Sequence, residues 1–160
     1  PIRIKGKNST KEKVQINGNV SSQYISSLLL IASKLEKGLE IELVGKITSV
    51  PYINMTLSLL NQLAIETSFE GNIIKVFPKE AIQKQTVVVE SDWSSASYFY
   101  SIIASAAIGS SIKLSAYKEE SLQGDSCLAE IYTHFGVATV FGKDCIILKK
   151  EGKTNAETLA

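Results

Sequence analysis

An α+β fold built from repeated βαβαββ units is the class that this sequence of 160 residues predicts. Three observations lead there. Apolar residues alternate in some short runs and recur at helical spacing in others, in the order strand, helix, strand, helix, hairpin. That order occurs twice in register: Ser94 stands 73 residues after Ser21, Gln123 stands 72 after Pro51, and Ile146 stands 72 after Ile74. Finally, 44% of the residues are hydrophobic and 21% charged, enough apolar surface to bury a core.

Taken in order, residues 1 to 20 complete neither copy. "PIRIKG" alternates Ile2 and Ile4, and "KEKVQING" alternates Val14 and Ile16, so the chain is expected to open in the last strand of a preceding unit. "VSSQYISSLLLIASKLEKG" reads as a helix closed by Gly38, and "LEIELVG" sets Leu39, Ile41 and Leu43 against Glu40 and Glu42, a strand with one wet face. "TSVPYINMTLSLLNQLA" is a second helix, with Ser49 as cap, Pro51 in the first turn and a stripe of Ile53, Leu57, Leu60 and Ala64. "IETSFEGNIIKVF" is a hairpin turning at Glu70, Gly71 and Asn72.

The second copy begins with "TVVVE" as a strand. "SDWSSASYFYSIIASAAIG" follows as a helix closed by Gly109, and "SSIKLSA" as a strand. "LQGDSCLAEIYTHFG" reads as a helix with Leu128, Ile131, Tyr132 and Phe135 on one side, and "VATVFGKDCIILKK" as a hairpin. Between the copies, Pro78 to Gln85 has the polar, proline-led composition of a connection, which suits either a boundary near Glu90 dividing the chain into 1–90 and 91–160 or an ordinary loop within one domain.

Composition excludes several functions. Seventeen Lys and Arg against sixteen Asp and Glu, with no block of either sign, leave no electrostatic footprint for nucleic acid or an anionic membrane. Cys127 and Cys145 have no CxxC spacing and only His134 nearby, so they are expected to be reduced, buried small hydrophobes rather than zinc ligands. The longest apolar run, Leu28 to Ala32, is too short to span a bilayer. Without a signal-like segment, the expectation is a soluble, cytoplasmic chain cut from something longer.

The polar residues ahead of the first helix stand out. A helix N-terminus leaves backbone N–H groups unpartnered and carries a positive dipole end, so hydroxyls at Ser21 and Ser22 and the amide of Gln23 suit a phosphate or carboxylate. They equally suit a cap followed by ordinary first-turn polar residues, and Ser49 has the same two readings. Both helix starts follow strand-like segments of one copy, so a single polar ligand could meet both.

Four blocks, "VSSQYISSLLLIAS", "SVPYINMTLSLL", "VESDWSSASYF" and "SLQGD", resemble in order and spacing the middle of the 5-enolpyruvylshikimate-3-phosphate synthase family of enolpyruvyl transferases. The resemblance covers nearly the whole chain. It implies an inside-out α/β barrel of six βαβαββ units, of which about two are present here. Residues 1–90 would supply the last unit of one domain with a leading strand, and 91–160 the first unit of the other. The resemblance further implies transfer of the enolpyruvyl group from phosphoenolpyruvate to the 5-hydroxyl of shikimate 3-phosphate, with no cofactor and no metal. Ser21, Ser22 and Ser49 would hold the phosphate, Gln23 would also reach phosphoenolpyruvate, Tyr52 would lie against the shikimate, and Asp92 would take a hinge or supporting role. Ser94, Ser95 and the Gln123-Gly124-Asp125 turn look like helix starts first and ligand groups second.

The family's lysines, arginines and catalytic carboxylates are absent from this chain, so it is expected to be inactive alone. A monomeric parent is expected, with exposed apolar surface that could make the isolated piece self-associate. Two other readings are a non-catalytic binding or interaction module on the same fold, and a nucleic-acid enzyme of similar architecture. The second needs basic and histidine chemistry that this composition lacks.

Overall fold

In the computed structural model the chain divides between Gln85 and Thr86 into two compact units. The structure describes residues 2, 3, 5, 6 and 11–153.

Unit 1 runs β1 (Lys13–Asn17), α1 (Ser22–Ala32), β2 (Leu39–Val44), α2 (Val50–Gln62), β3 (Thr67–Glu70) and β4 (Ile73–Val76). Its sheet has the order β1-β2-β4-β3, with β1 parallel to β2 and β4 antiparallel to both neighbours. The strict alternation of β2 divides the sheet into faces. Leu39, Ile41 and Leu43 are buried against Ile25, Leu29 and Ala32 of α1 and Ile53, Leu57 and Leu60 of α2. Each leucine or isoleucine among them contributes roughly 1.5–3 kcal/mol when fully buried. On the opposite face Glu40 pairs with Lys13 and Lys75 at 2.9 and 3.2 Å, and Glu42 accepts a hydrogen bond from Gln15.

Several expectations change in this unit. Val14 and Ile16 do form a strand, but it is the unit's own first strand, laid parallel on β2. Ile2 is exposed and outside any strand, and Ile4 lies outside the described residues. The first helix stops at Ala32, short of Gly38, because the chain tightens into turns in which Lys34 N–H donates to Ile31 and Leu35 N–H to Ala32. Ala64 is not part of the helical stripe. It follows α2 in the left-handed region at φ 57°, exposed, and Ile65 takes the buried place. The hairpin turns on Gly71 and Asn72 alone, since Glu70 is paired with Ile73.

Unit 2 contains α3 (Trp93–Ser105), β5 (Ser111–Ser115), a single α-turn α4 (Leu128–Ile131), β6 (Val137–Gly142) and β7 (Cys145–Lys150). Its antiparallel sheet has the order β5-β7-β6. The core gathers Trp93, Tyr100, Ile103, Val137, Ile146 and Leu148. Lys150, also buried, donates from Nζ to the Phe135 carbonyl at 2.6 Å, where a helical segment ends and a cation is favoured.

The expected strand "TVVVE" is absent. Val87, Val88 and Val89 are exposed and unladdered, because β-propensity holds no strand without a partner to pair with. The third helix ends at Ser105 rather than running to Gly109, its chain turning extended at Ala106. The fourth is broken: 3₁₀ turns at Gly124–Cys127 and Tyr132–Phe135 flank α4 before Gly136 closes it at φ 70°. Three residues per turn rotate the apolar stripe, so Leu128 and Tyr132 pack on the core while Ile131 is exposed. Cys145 is buried as expected, but Cys127 is exposed.

The two units superpose in logic with one shift of register. The buried triplet Ile25, Leu29, Ala32 corresponds to Ala96, Tyr100, Ile103, and the N-cap of α1, Ser21, to that of α3, Asp92, all 71 residues apart. The structural counterpart of Ser21 is therefore Asp92 and not Ser94. Among the described residues no helix is long and apolar enough to cross a membrane.

Candidate functional site

The site is set by a pair of parallel strands. β1 and β2 lie side by side and run the same way, so the loops leaving their ends meet, and α1 and α2 begin at one edge of the sheet. Gly18 makes this closeness possible. Its N–H donates to Val44 O at 2.8 Å, its carbonyl accepts from Thr48 N–H at 3.2 Å, and a Cβ there would stand 3.0 Å from the Lys46 carbonyl oxygen.

At the start of α1 the N-cap Ser21 makes no side-chain cap hydrogen bond. Its carbonyl accepts from Tyr24 N–H at 3.0 Å, but among the described residues nothing accepts from the amides of Ser22 and Gln23. α2 repeats the pattern: Ser49 is its N-cap without a side-chain cap bond, Pro51 occupies the first turn, and the Val50 and Tyr52 amides have no acceptor among the described residues. Ser21, Gln23 and Tyr52 are exposed, and Ser22 and Ser49 half-buried. Unspent amides, free hydroxyls and two positive dipole ends on one edge are the chemistry of an anion site.

One turn deeper the helices are joined. Thr56, buried, donates from Oγ1 to the Tyr52 carbonyl at 3.0 Å, and its oxygen lies 2.9 Å from Ser26 Oγ of α1. The sequence reading missed this pair, although a threonine and a serine in otherwise apolar helical stripes were the signal.

The corresponding edge of unit 2 is closed upon itself. Asp92 caps α3, its Oδ1 accepting from Ser94 N–H at 3.0 Å and its Oδ2 from Ser95 Oγ at 2.9 Å. Those hydrogen bonds, the Ser95 hydroxyl first, hold the Asp92 carboxyl below its ordinary pKa. Gln123 accepts from Trp93 N–H at 2.9 Å and donates to the Ser91 carbonyl at 2.8 Å, while Ser94 donates to Asp125. Ser94, Ser95, Gln123 and Asp125 thus serve as helix starts. Glu90 accepts from Trp93 Nε1–H, from Ser121 and from the Lys118 amide. Burial opposes its ionisation, but these hydrogen bonds outweigh it and hold the carboxyl below the usual range.

Two such units, one presenting open helix starts from adjacent parallel strands and the other closed by an aspartate, make this an α+β protein. Residues 1–158 match the family described as EPSP synthase (3-phosphoshikimate 1-carboxyvinyltransferase), and the chain belongs to that family. Among similar curated proteins are 3-phosphoshikimate 1-carboxyvinyltransferases of two Bacteroides fragilis strains, 41% and 42% identical over 152 and 153 residues. That of Histophilus somni strain 2336 is 35% identical over 153 residues. These matches cover 95%, 95% and 94% of this chain, but the chain spans only 37%, 37% and 34% of the relatives' lengths.

Proposed function

We propose that these residues supply the shikimate 3-phosphate subsite of an enzyme that transfers the enolpyruvyl group of phosphoenolpyruvate to the substrate's 5-hydroxyl. The observation that carries this is the pair of serine N-caps without cap bonds, at helix starts brought together by parallel strands. Ser21, Ser22 and Ser49 hold the phosphate with hydroxyl and amide donors, Gln23 spans towards the second substrate, and Tyr52 lies against the ring. Asp92 keeps its supporting role at the connection between units; its carboxylate, engaged with Ser94 and Ser95, orders a helix start rather than meeting anionic substrates.

The chemistry needs a base at the attacking hydroxyl, a proton donor to the methylene carbon and cations around phosphate and carboxylate, groups that we assign to other segments of the enzyme. The chain alone therefore binds weakly and does not turn over. We assign its units to two of six in an inside-out barrel, 1–90 and 91–160 lying on either side of a domain crossover. Exposed apolar side chains on the helices, Tyr24, Leu30 and Ile31 on α1 and Tyr98 and Ile102 on α3, support helices that face further protein. The complete enzyme is read as a cytoplasmic monomer, and the isolated chain as prone to self-association through those faces.

An NMR titration tests the subsite. Shikimate 3-phosphate should shift the amides of Ser21, Ser22, Gln23 and Ser49 saturably, and unphosphorylated shikimate should not. Equal responses to both compounds, or none, reject the assignment.

A further inference from the structure

We propose that Ser26 and Thr56 are positioning residues that set the separation of the two helix starts for one bound phosphate, an inference that rests on the subsite assigned above. The hydrogen of Thr56 Oγ1 is committed to the Tyr52 carbonyl at 3.0 Å, so the 2.9 Å contact is a hydrogen bond donated by Ser26 Oγ. Thr56 is 6% exposed, and a hydroxyl pair in an otherwise apolar helix interface costs desolvation that aliphatic side chains would avoid. What the pair supplies instead is a directional tie.

Its place explains its use. Ser26 lies four residues after Ser22, and Thr56 four after Tyr52, so each shares a helix face with the candidate ligand residue above it. The tie therefore joins the two faces that carry the candidate site, one turn below the open ends. Unit 2 joins its helix starts differently. There Gln123 and the Ser94–Asp125 pair bond at the first turn and consume the polar groups present, while Ser97 bonds back to the Ser94 carbonyl. Placing the tie one turn deeper in unit 1 fixes the spacing and leaves the first-turn amides and hydroxyls unspent. The hydrogen bond also reaches the carbonyl of Tyr52 itself, so it orients the residue assigned to the sugar ring.

The test is calorimetric binding of shikimate 3-phosphate and of shikimate to the complete gene product, in Thr56→Val, Ser26→Ala, the combination of those two, Thr56→Ser and Ser22→Ala forms. Thr56→Val and Ser26→Ala should each weaken shikimate 3-phosphate by about tenfold, the loss of one good phosphate hydrogen bond. Their effects should not add, because they remove the same tie. Thr56→Ser should stay within about twofold of the parent, and among the Ser26 and Thr56 forms the ratio of phosphorylated to unphosphorylated affinity should collapse only where the hydroxyl pair is broken. Should Thr56→Val fail to fold, Ser26→Ala, which removes one oxygen from a half-buried position, carries the same test.

Unchanged phosphate affinity in both tie variants, with Ser22→Ala still impaired, overturns the positioning role and leaves the subsite standing. Equal losses for both ligands also overturn it, since they mark general support of the fold. An unimpaired Ser22→Ala rejects the subsite, and the positioning role with it.

Discussion

Two helix starts at matching places in the repeat have opposite fates. α1 begins Ser21-Ser22-Gln23 with its side chains and first amides unspent, whereas α3 begins Asp92-Trp93-Ser94 with the amides of Trp93 and Ser94 bonded to Gln123 and Asp92. At the first helical position unit 1 has a half-buried serine and unit 2 a fully buried tryptophan. The same backbone geometry is thus left open in one unit and serves cohesion in the other. The difference teaches that a serine cap becomes informative when its hydroxyl is not capping.

The largest expected effect follows from Trp93. Its ring meets Tyr117 edge-on at 5.2 Å and lies fully buried, so Trp93→Ala should cost unit 2 about 3–5 kcal/mol in chemical denaturation. Ser22→Ala at the matching place should stay within about 0.5 kcal/mol. A small loss at Trp93 would dissolve the contrast.

Next comes conversion of one start into the other. Ser21→Asp should cap α1 as Asp92 caps α3, yet weaken shikimate 3-phosphate at least about a hundredfold by placing a carboxylate where the subsite proposed above puts the phosphate. Retained affinity in the same titration would show that the N-cap does not face the ligand.

Glu90→Ala should cost roughly 1–3 kcal/mol, because it strands the buried indole N–H of Trp93. The acid response has a definite sign. Glu90's folded pKa is depressed, so its contribution is complete above the ordinary carboxylate range and is lost as pH falls through the lower folded value. Trp93 is the single tryptophan, so its fluorescence reports unit 2, and Glu90→Gln should flatten the acid dependence of its unfolding.

The smallest effect concerns α2. Ala64 adopts φ 57° where its counterpart Gly136, 72 residues on, adopts φ 70°. Ala64→Gly should stabilise unit 1 by up to about 1 kcal/mol, read from the denaturation midpoint. Destabilisation would show that the left-handed position is tolerated without strain.

Much of this was legible in the sequence. The alternation of Leu39, Ile41 and Leu43 fixed a strand and its buried face, and Ile53, Leu57 and Leu60 fixed the inner side of α2, because these periods report burial directly. The valines of "TVVVE" misled because propensity needs a neighbour, and Gly38 and Gly109 misled because a left-handed glycine can close a loop as readily as a helix. Ser21, Ser22 and Ser49 could be named as polar starts. That their hydroxyls make no cap bonds depends on tertiary geometry, as does the Ser26–Thr56 tie between segments 30 residues apart.

Colloidal behaviour follows from the edge of unit 2. β5 borders its sheet with one side unpaired among the described residues, and Val87, Val88 and Val89 stand exposed at 45%, 67% and 83% without a ladder of their own. An uncharged run of β-branched residues and a bare strand edge in the same unit are the ingredients of intermolecular sheet growth. Lys113, exposed in the middle of β5, and Glu90, closing the valine run, are the charges that interrupt it. These few surface positions give unit 2 a sheet-edge route to association, separate from the apolar helix faces of α1 and α3.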